Sequence, residues 1–159
     1  AELARRIAEK AIVVSRRGAT RLPVPRNGTL VLVPDFHEAR ERFTFEGGPS
    51  APETLVRRLT HGARVARTPI ETGELRRLPE LIRNAKRVVF LSFEARRYPG
   101  QAAALRLLSR LAPAKTVAVT IRSSWDIDLC PKAMTVVDAA GYRLVSIEAA
   151  LARVLEKKP

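Results

Sequence analysis

A chain of 159 residues with 46% hydrophobic and 28% charged side chains has the size and balance of one folded domain. Collagen-like, low-complexity and wholly disordered chains are excluded. Lys and Arg number 29 against 16 acids, a formal charge of +13 that makes nucleic acid or another polyanion one partner class to weigh. The cations are spread over the whole chain, and pairs such as Arg57-Arg58, Arg76-Arg77 and Arg96-Arg97 equally suit solvated helix faces. No apolar run approaches the ~20 residues of a membrane span. Residues Ala1 to Arg6 hold no apolar targeting segment, so the chain as it stands reads as cytoplasmic, while a full-length parent could be secreted.

Glu2 to Val14 reads as an amphipathic helix, because Leu3, Ile7, Ala11 and Val14 form one stripe of a 3.6-residue period. Gly18 is placed to end that element. Pro23 and Pro25 make Leu22 to Arg26 extended, and Asn27-Gly28 signals a tight turn. Thr29 to Val33 is apolar or β-branched throughout, the pattern of a strand buried on both faces of a parallel sheet, and Pro34 stops it. A long connection runs from Asp35 to Pro52.

Alternation then sets in. Helices are expected at Glu53–His61, Gly73–Asn84 and Gln101–Leu111, with strands at Ala63–Thr68, Arg87–Phe93, Thr116–Ile121 and Met134–Asp138. A final helix is expected from Ile147 to Lys157, N-capped by Ser146, with Lys157 and Lys158 at its negative end. The pattern predicts an α/β fold: a three-layer α/β/α sandwich around an open, mostly parallel sheet of five or six strands. Residues 1–159 are expected to form one domain, with 1–26 a leading helix and extended lead-in and 27–159 the sheet with its crossover helices.

Nucleotide chemistry has no sequence support. No G-x-G-x-x-G follows the first strand, and neither G-x-x-x-x-G-K-[ST] nor G-x-S-x-G occurs. The lone Cys130 allows no internal disulfide and reads as a buried thiol. His37 and His61 lack metal-ligand spacing, so neither a metal nor a cofactor is expected.

In open α/β sheets, ligands sit beyond the carboxyl ends of the strands. Four residue groups map there: Asp35, His37 and Glu46; Glu94, Arg96 and Arg97; Ser123, Ser124, Trp125 and Asp126; and Asp138. Glycoside hydrolysis needs two carboxylates about the scissile bond. Glu46 and Glu94 could supply one each, and each fits a solvated acid or an Arg partner as well. Trp125, the only tryptophan, suits stacking on a sugar, wedging between domains, or simple burial.

The last forty residues carry a family resemblance. Ile121-Arg122-Ser123-Ser124-Trp125-Asp126-Ile127-Asp128-Leu129-Cys130-Pro131 resembles the N/S-P-Y-D-L-x-L-L-P stretch in the second domain of family 3 glycoside hydrolases. Met134 to Tyr142 is similar to the strand and x-x-Y-G-Y passage that follows there, and Ser146 to Leu155 to the closing S-x-x-A-x-A-x-V-L helix. At the front, Ala4 to Val14 with Leu22-Pro23-Val24 resembles the family's A-x-x-S-I-T-L-L-K-N…L-P-L opening. The β-N-acetylhexosaminidase branch is the nearest in pattern. Ser124-Trp125 stands where Pro-Tyr is common, and Arg16-Arg17 where Lys-Asn is common.

The resemblance implies an accessory α/β domain that packs against a (β/α)8 barrel carrying the nucleophilic aspartate and helps to wall its sugar site. Such a barrel takes about 250 residues, so it does not fit in this chain beside the domain just described. The barrel-loop Asp–His stretch of the hexosaminidase branch is absent as well. In the β-glucosidase branch a glutamate of the second domain is the acid/base; Glu46 is the nearest candidate by position, although its surroundings match no motif of that branch. The isolated chain is therefore expected to be inactive, with carbohydrate bound only in a complete enzyme. The alternative is a stand-alone basic module that binds nucleic acid through the +13 charge.

Overall fold

The computed structural model describes residues 2–157. In chain order the elements are α1 (Glu2–Ala11), β1 (Val13–Arg16), β2 (Thr29–Pro34), α2 (Ala51–Leu59), β3 (Arg64–Thr68), α3 (Leu78–Asn84), β4 (Arg87–Phe93), α4 (Pro99–Leu111), β5 (Thr116–Ile121), β6 (Thr135–Asp138) and α5 (Leu144–Val154). Short 3-10 turns at Phe36–Ala39, Pro113–Lys115 and Ser124–Leu129 fill the connections. The six strands form one sheet in the order β1-β6-β5-β4-β2-β3. Every neighbouring pair is parallel except β1 with β6.

The all-apolar strands are central for a simple reason. Side chains alternate between the two faces, so a strand that is apolar at every position has to be covered twice. Val31, Val33, Val89, Leu91, Phe93, Val117, Val119 and Ile121 point to one face, where Leu55 and Val56 of α2 and Ile147, Leu151 and Val154 of α5 cover them. Leu30, Leu32, Val88, Phe90 and Ala118 point to the other, beneath Leu78 and Ile82 of α3 and Leu105 and Leu108 of α4. Helices thus lie on both sides of a six-stranded, mostly parallel sheet.

The lead-in departs from the expected helix. The helix ends at Ala11, and Val13 and Val14 instead begin β1 at the sheet edge, with a register irregularity between Val14 and Arg16. β-branched residues lose side-chain freedom in a helix and fit a pleated edge better. The apolar stripe is also turned round: Leu3 is 68% and Ile7 59% exposed, while Ala8 is the buried residue of α1. The small Ala8 side chain lets the helix lie close on α5, with Arg5 and Glu9 lining the cleft between them. Gly18 does not cap a helix. Its neighbour Ala19 donates to the Ala133 carbonyl, and a Cβ at Gly18 would stand 2.3 Å from the carbonyl carbon of Met134.

Other boundaries move as well. α3 starts only at Leu78, because Arg76 adopts a left-handed conformation with φ of +41°. α2 runs from Ala51 to Leu59 with Pro52 in its first turn. The last helix runs from Leu144 to Val154, so Ser146 lies inside it and its N-cap is Arg143. Tertiary pairing ends that helix: Val24 donates to the Val154 carbonyl and accepts from Glu156, drawing Leu155 into an isolated bridge. Lys157 is therefore beyond the helix, and Lys158 lies outside the described residues.

Gly100 opens α4 where the backbones of Pro69 and Thr72 approach, 2.3 Å from the Thr72 oxygen to an added Cβ. Gly73 meets nothing within 4 Å. Gly18→Ala and Gly100→Ala should each cost about 1–3 kcal/mol or more, as overpacking does, while Gly73→Ala stays near neutral. Chemical denaturation midpoints of the three variants check this.

Candidate functional site

The parallel strands end in an unusual backbone. Glu94, directly after β4, has φ of +46°; Arg122, directly after β5, has +82°; and Ala140, shortly after β6, has +54°. Left-handed conformations are costly for residues with a Cβ and persist where the surroundings impose them. All three lie along the carboxyl edge of adjacent strands, where α/β sheets bind ligands.

Arg122 is the centre of this edge. Its guanidinium carbon lies 4.3 Å from the Phe43 ring centre, 5.4 Å from Tyr142 and 5.8 Å from Phe93, a cation–π arrangement on three rings. Its Nε is 3.5 Å from Glu94 Oε2. The rings come from distant segments. Phe93 ends β4, Tyr142 precedes α5, and Phe43 and Phe45 belong to the long connection after β2, which folds back over the strand ends. Phe43 meets Phe93 edge-on at 5.4 Å, and Phe93 stacks on Tyr98 at 5.6 Å.

Among the described residues, the buried side-chain polar atoms without a hydrogen-bond partner are Glu94 Oε2, Tyr98 Oη and Asp126 Oδ1. They all belong to the segments that follow β4 and β5. Of these, Glu94 Oε2 still faces the Arg122 guanidinium at 3.5 Å.

The residues expected here divide into supports and exposed groups. Asp126 is a support: it is buried, and its Oδ2 accepts from Ser92 Oγ at 2.5 Å and from the Ala95 amide at 3.0 Å, clamping the Glu94 loop to the turn after β5. Ser123 Oγ accepts from the Trp125 amide at 3.3 Å and caps that turn. Ser124 and Trp125 are exposed, and at 73% exposure Trp125 buries no apolar core. Arg96 donates to the Trp125 carbonyl at 3.2 Å and lies 3.6 Å from Asp128. Arg97 packs against the Tyr98 ring at 5.6 Å. Asp138 Oδ1 accepts from Thr120 Oγ1 and the Ala140 amide, shaping the loop after β6.

The first group serves the long connection. Asp35 Oδ1 accepts from the His37 amide at 3.2 Å, and its other oxygen lies 3.6 Å from Arg67. His37 Nε2 sits 2.9 Å from Ser50 Oγ. Glu46 is exposed and lines a cleft of about 210 Å3 with Phe45, Tyr142 and Arg143. Glu94 is not among the residues that line that cleft, although its partner Arg122 lies over Tyr142, which is. Sequence reasoning missed Arg122, Phe43 and Tyr142. Arg122 could have been found as the residue immediately after a buried strand; the rings could not, since their meeting depends on how the connection folds back. Among the described residues, no group of three or more His, Cys, Asp or Glu side chains is placed to hold a metal ion.

Searches of known structures return the same architecture. A family 3 β-N-acetylglucosaminidase from Paenibacillus sp. strain FPU-7 matches 94% of this chain with a TM-score of 0.68 and 23% identity. The chain has the fold found in a region of family 3 glycoside hydrolases. A fungal multi-domain family 3 β-N-acetylglucosaminidase also matches 94% of the chain, with a TM-score of 0.68 and 16% identity. A β-glucosidase from Chaetomella raphigera matches 96%, with a TM-score of 0.59 and 12% identity. The chain spans only 29%, 17% and 28% of these proteins. No protein-family model and no curated protein matches the chain.

Two ionisable groups near the edge have altered acidity. Burial would raise the Glu53 carboxyl, but hydrogen bonds and charge from Arg57 and Arg67, at 2.8 and 2.6 Å, outweigh it and hold it below its ordinary 4.5. A lowered folded value means that Glu53 stabilises the fold above about pH 4.5, and that this contribution is lost as pH falls through the folded value. Glu53→Gln should therefore flatten the acid limb of a stability–pH profile. Burial pushes the Cys130 thiol up to about 11. Its reaction with iodoacetamide at pH 8 should be far slower in the native chain than in urea. Asp126→Ala strands the buried Ser92 and Ala95 donors and should cost about 1–3 kcal/mol, read as a lower denaturation midpoint.

Proposed function

We propose that this chain is the accessory α/β domain of a family 3 glycoside hydrolase of the β-N-acetylhexosaminidase kind. In the complete enzyme it packs against a (β/α)8 barrel and offers the carboxyl edge of its sheet to the sugar site. The observation that carries the reading is the match of nearly the whole chain to two β-N-acetylglucosaminidases of which it spans less than a third. The carboxyl edge supplies suitable groups. Glu94 can accept hydrogen bonds from sugar hydroxyls, Arg122 can donate them, and the rings of Phe43 and Tyr142 offer apolar faces to sugar C–H groups. Trp125 stands free to meet either the partner domain or the sugar.

The chemistry assigned to the chain by itself is binding and walling, not bond cleavage. Hydrolysis needs an acid and a nucleophile or base set on either side of the glycosidic bond, and Glu94, turned to Arg122, does not line the cleft beside Glu46. On this reading, the nucleophile belongs to the barrel.

The isolated chain should give no turnover of chromogenic N-acetylglucosaminide or glucoside above buffer. The complete reading frame that contains it should encode a barrel-sized segment and cleave the N-acetylglucosaminide. In that full enzyme, Arg122→Ala should raise KM several-fold while leaving the fold intact. Turnover by the isolated chain that disappears in Glu94→Gln, or a reading frame without a barrel segment, overturns the proposal.

A further inference from the structure

At the amino edge of the sheet, away from the strand ends just described, residues 17–23 cross the starts of β5 and β6 as a strap. Gly18 donates to Thr135 Oγ1, Thr135 Oγ1 donates to the Thr20 carbonyl, and Thr20 Oγ1 donates to the Ala114 carbonyl. Thr20 and Thr135 are buried, so the strap is fixed from beneath by its own hydrogen bonds. Between this strap and α5 lies a cleft of about 410 Å3. That lies within the roughly 300–1,000 Å3 of small-molecule sites.

The lining is lopsided in charge. Arg17 and Arg21 of the strap and Arg153 of α5 line the cleft, and no acidic residue does. Among the described residues none of the three takes part in an ion pair or a side-chain hydrogen bond, a state they share with other exposed arginines such as Arg106 and Arg110; what sets them apart is that they line one cleft. The cleft between α1 and α5 offers a contrast, since Glu9 and Glu148 accompany Arg5 and Arg26 there. The remaining wall is apolar, from Val14, Leu22 and Pro23.

We propose that this cleft binds a phosphorylated small organic molecule. Three guanidinium groups without acids suit a doubly charged tetrahedral oxyanion, whose three terminal oxygens can each take a charge-assisted pair; a carboxylate is satisfied by a single fork. The Val14, Leu22 and Pro23 wall receives the organic part, which distinguishes the ligand from free phosphate. A concave site of this volume, facing one wall of the strap, takes a compact ligand. A nucleic-acid strand is instead held along an extended cationic groove.

The test follows backbone amide signals by NMR while phenyl phosphate, inorganic phosphate and phenol are titrated separately into the chain. Phenyl phosphate should bind saturably, shift the amides of Val14, Gly18 and Thr135, and bind tighter than inorganic phosphate; phenol should not bind. The double variant Arg17→Gln/Arg153→Gln should weaken phenyl phosphate roughly tenfold, equivalent to ~1.4 kcal/mol. The control Arg106→Gln/Arg110→Gln removes the same charge from exposed positions of α4 and should leave binding unchanged. All four positions are exposed, so thermal unfolding should stay at the parent value in both variants. Equal weakening in the two variants, phenol binding as well as phenyl phosphate, or no saturable binding of phenyl phosphate would each overturn the proposal.

Discussion

Burial of both faces of β2, β4 and β5 is the constraint on which the rest depends. These strands are apolar at nearly every position, and a strand has only two faces, so each needs helical cover on both sides. That requirement places α2 and α5 on one side and α3 and α4 on the other, and it sends each connection from the end of one parallel strand back to the start of the next. The loops after the strands are thereby gathered at one edge. A carboxyl edge dense in side chains follows from the geometry before any function is assigned to it.

The cost of that edge is visible in its backbone. Glu94 and Arg122 take left-handed conformations at the ends of neighbouring strands, and the Arg122 guanidinium rests on rings brought from three segments. Asp126 holds the two loops together from below through Ser92 and the Ala95 amide. Gln101 does similar work deeper down: its buried amide accepts from Phe93 and donates to Thr68 and Pro69, joining the ends of β3 and β4 to α4. Rigid supports of this kind let a strained pair persist.

Cationic surplus takes three forms in this molecule. Some arginines close ion pairs, as Arg57 and Arg67 do on Glu53. Others hold carbonyl groups, as Arg16 does at Cys130 and Pro131 and Arg26 does at Leu59 and Glu156. A remainder is left uncompensated, and part of it lines the strap cleft. Net charge alone does not separate these uses, because they differ only in what stands opposite each guanidinium.

Much of the central fold was legible from the amino-acid order. β4 and β5 begin and end where their apolar runs do, the remaining expected strands and the helices that follow them lie within a few residues of their places, and β2 reads as a doubly covered strand. These features are local: side-chain alternation, helical period, Pro and Gly. Only the tertiary structure decided that Val13 and Val14 pair with β6, that the Leu3–Ile7 stripe faces outward, and that Val24 ends α5. Each of these depends on a partner more than a hundred residues away or on which side of a helix finds a neighbour. The candidate site divides the same way. Strand-end logic reached Glu94, Asp126 and Trp125 from sequence alone. The opposite fates of Asp126 and Trp125, adjacent residues turned inward and outward, and the rings around Arg122 were set by long-range packing, which local periodicity does not encode.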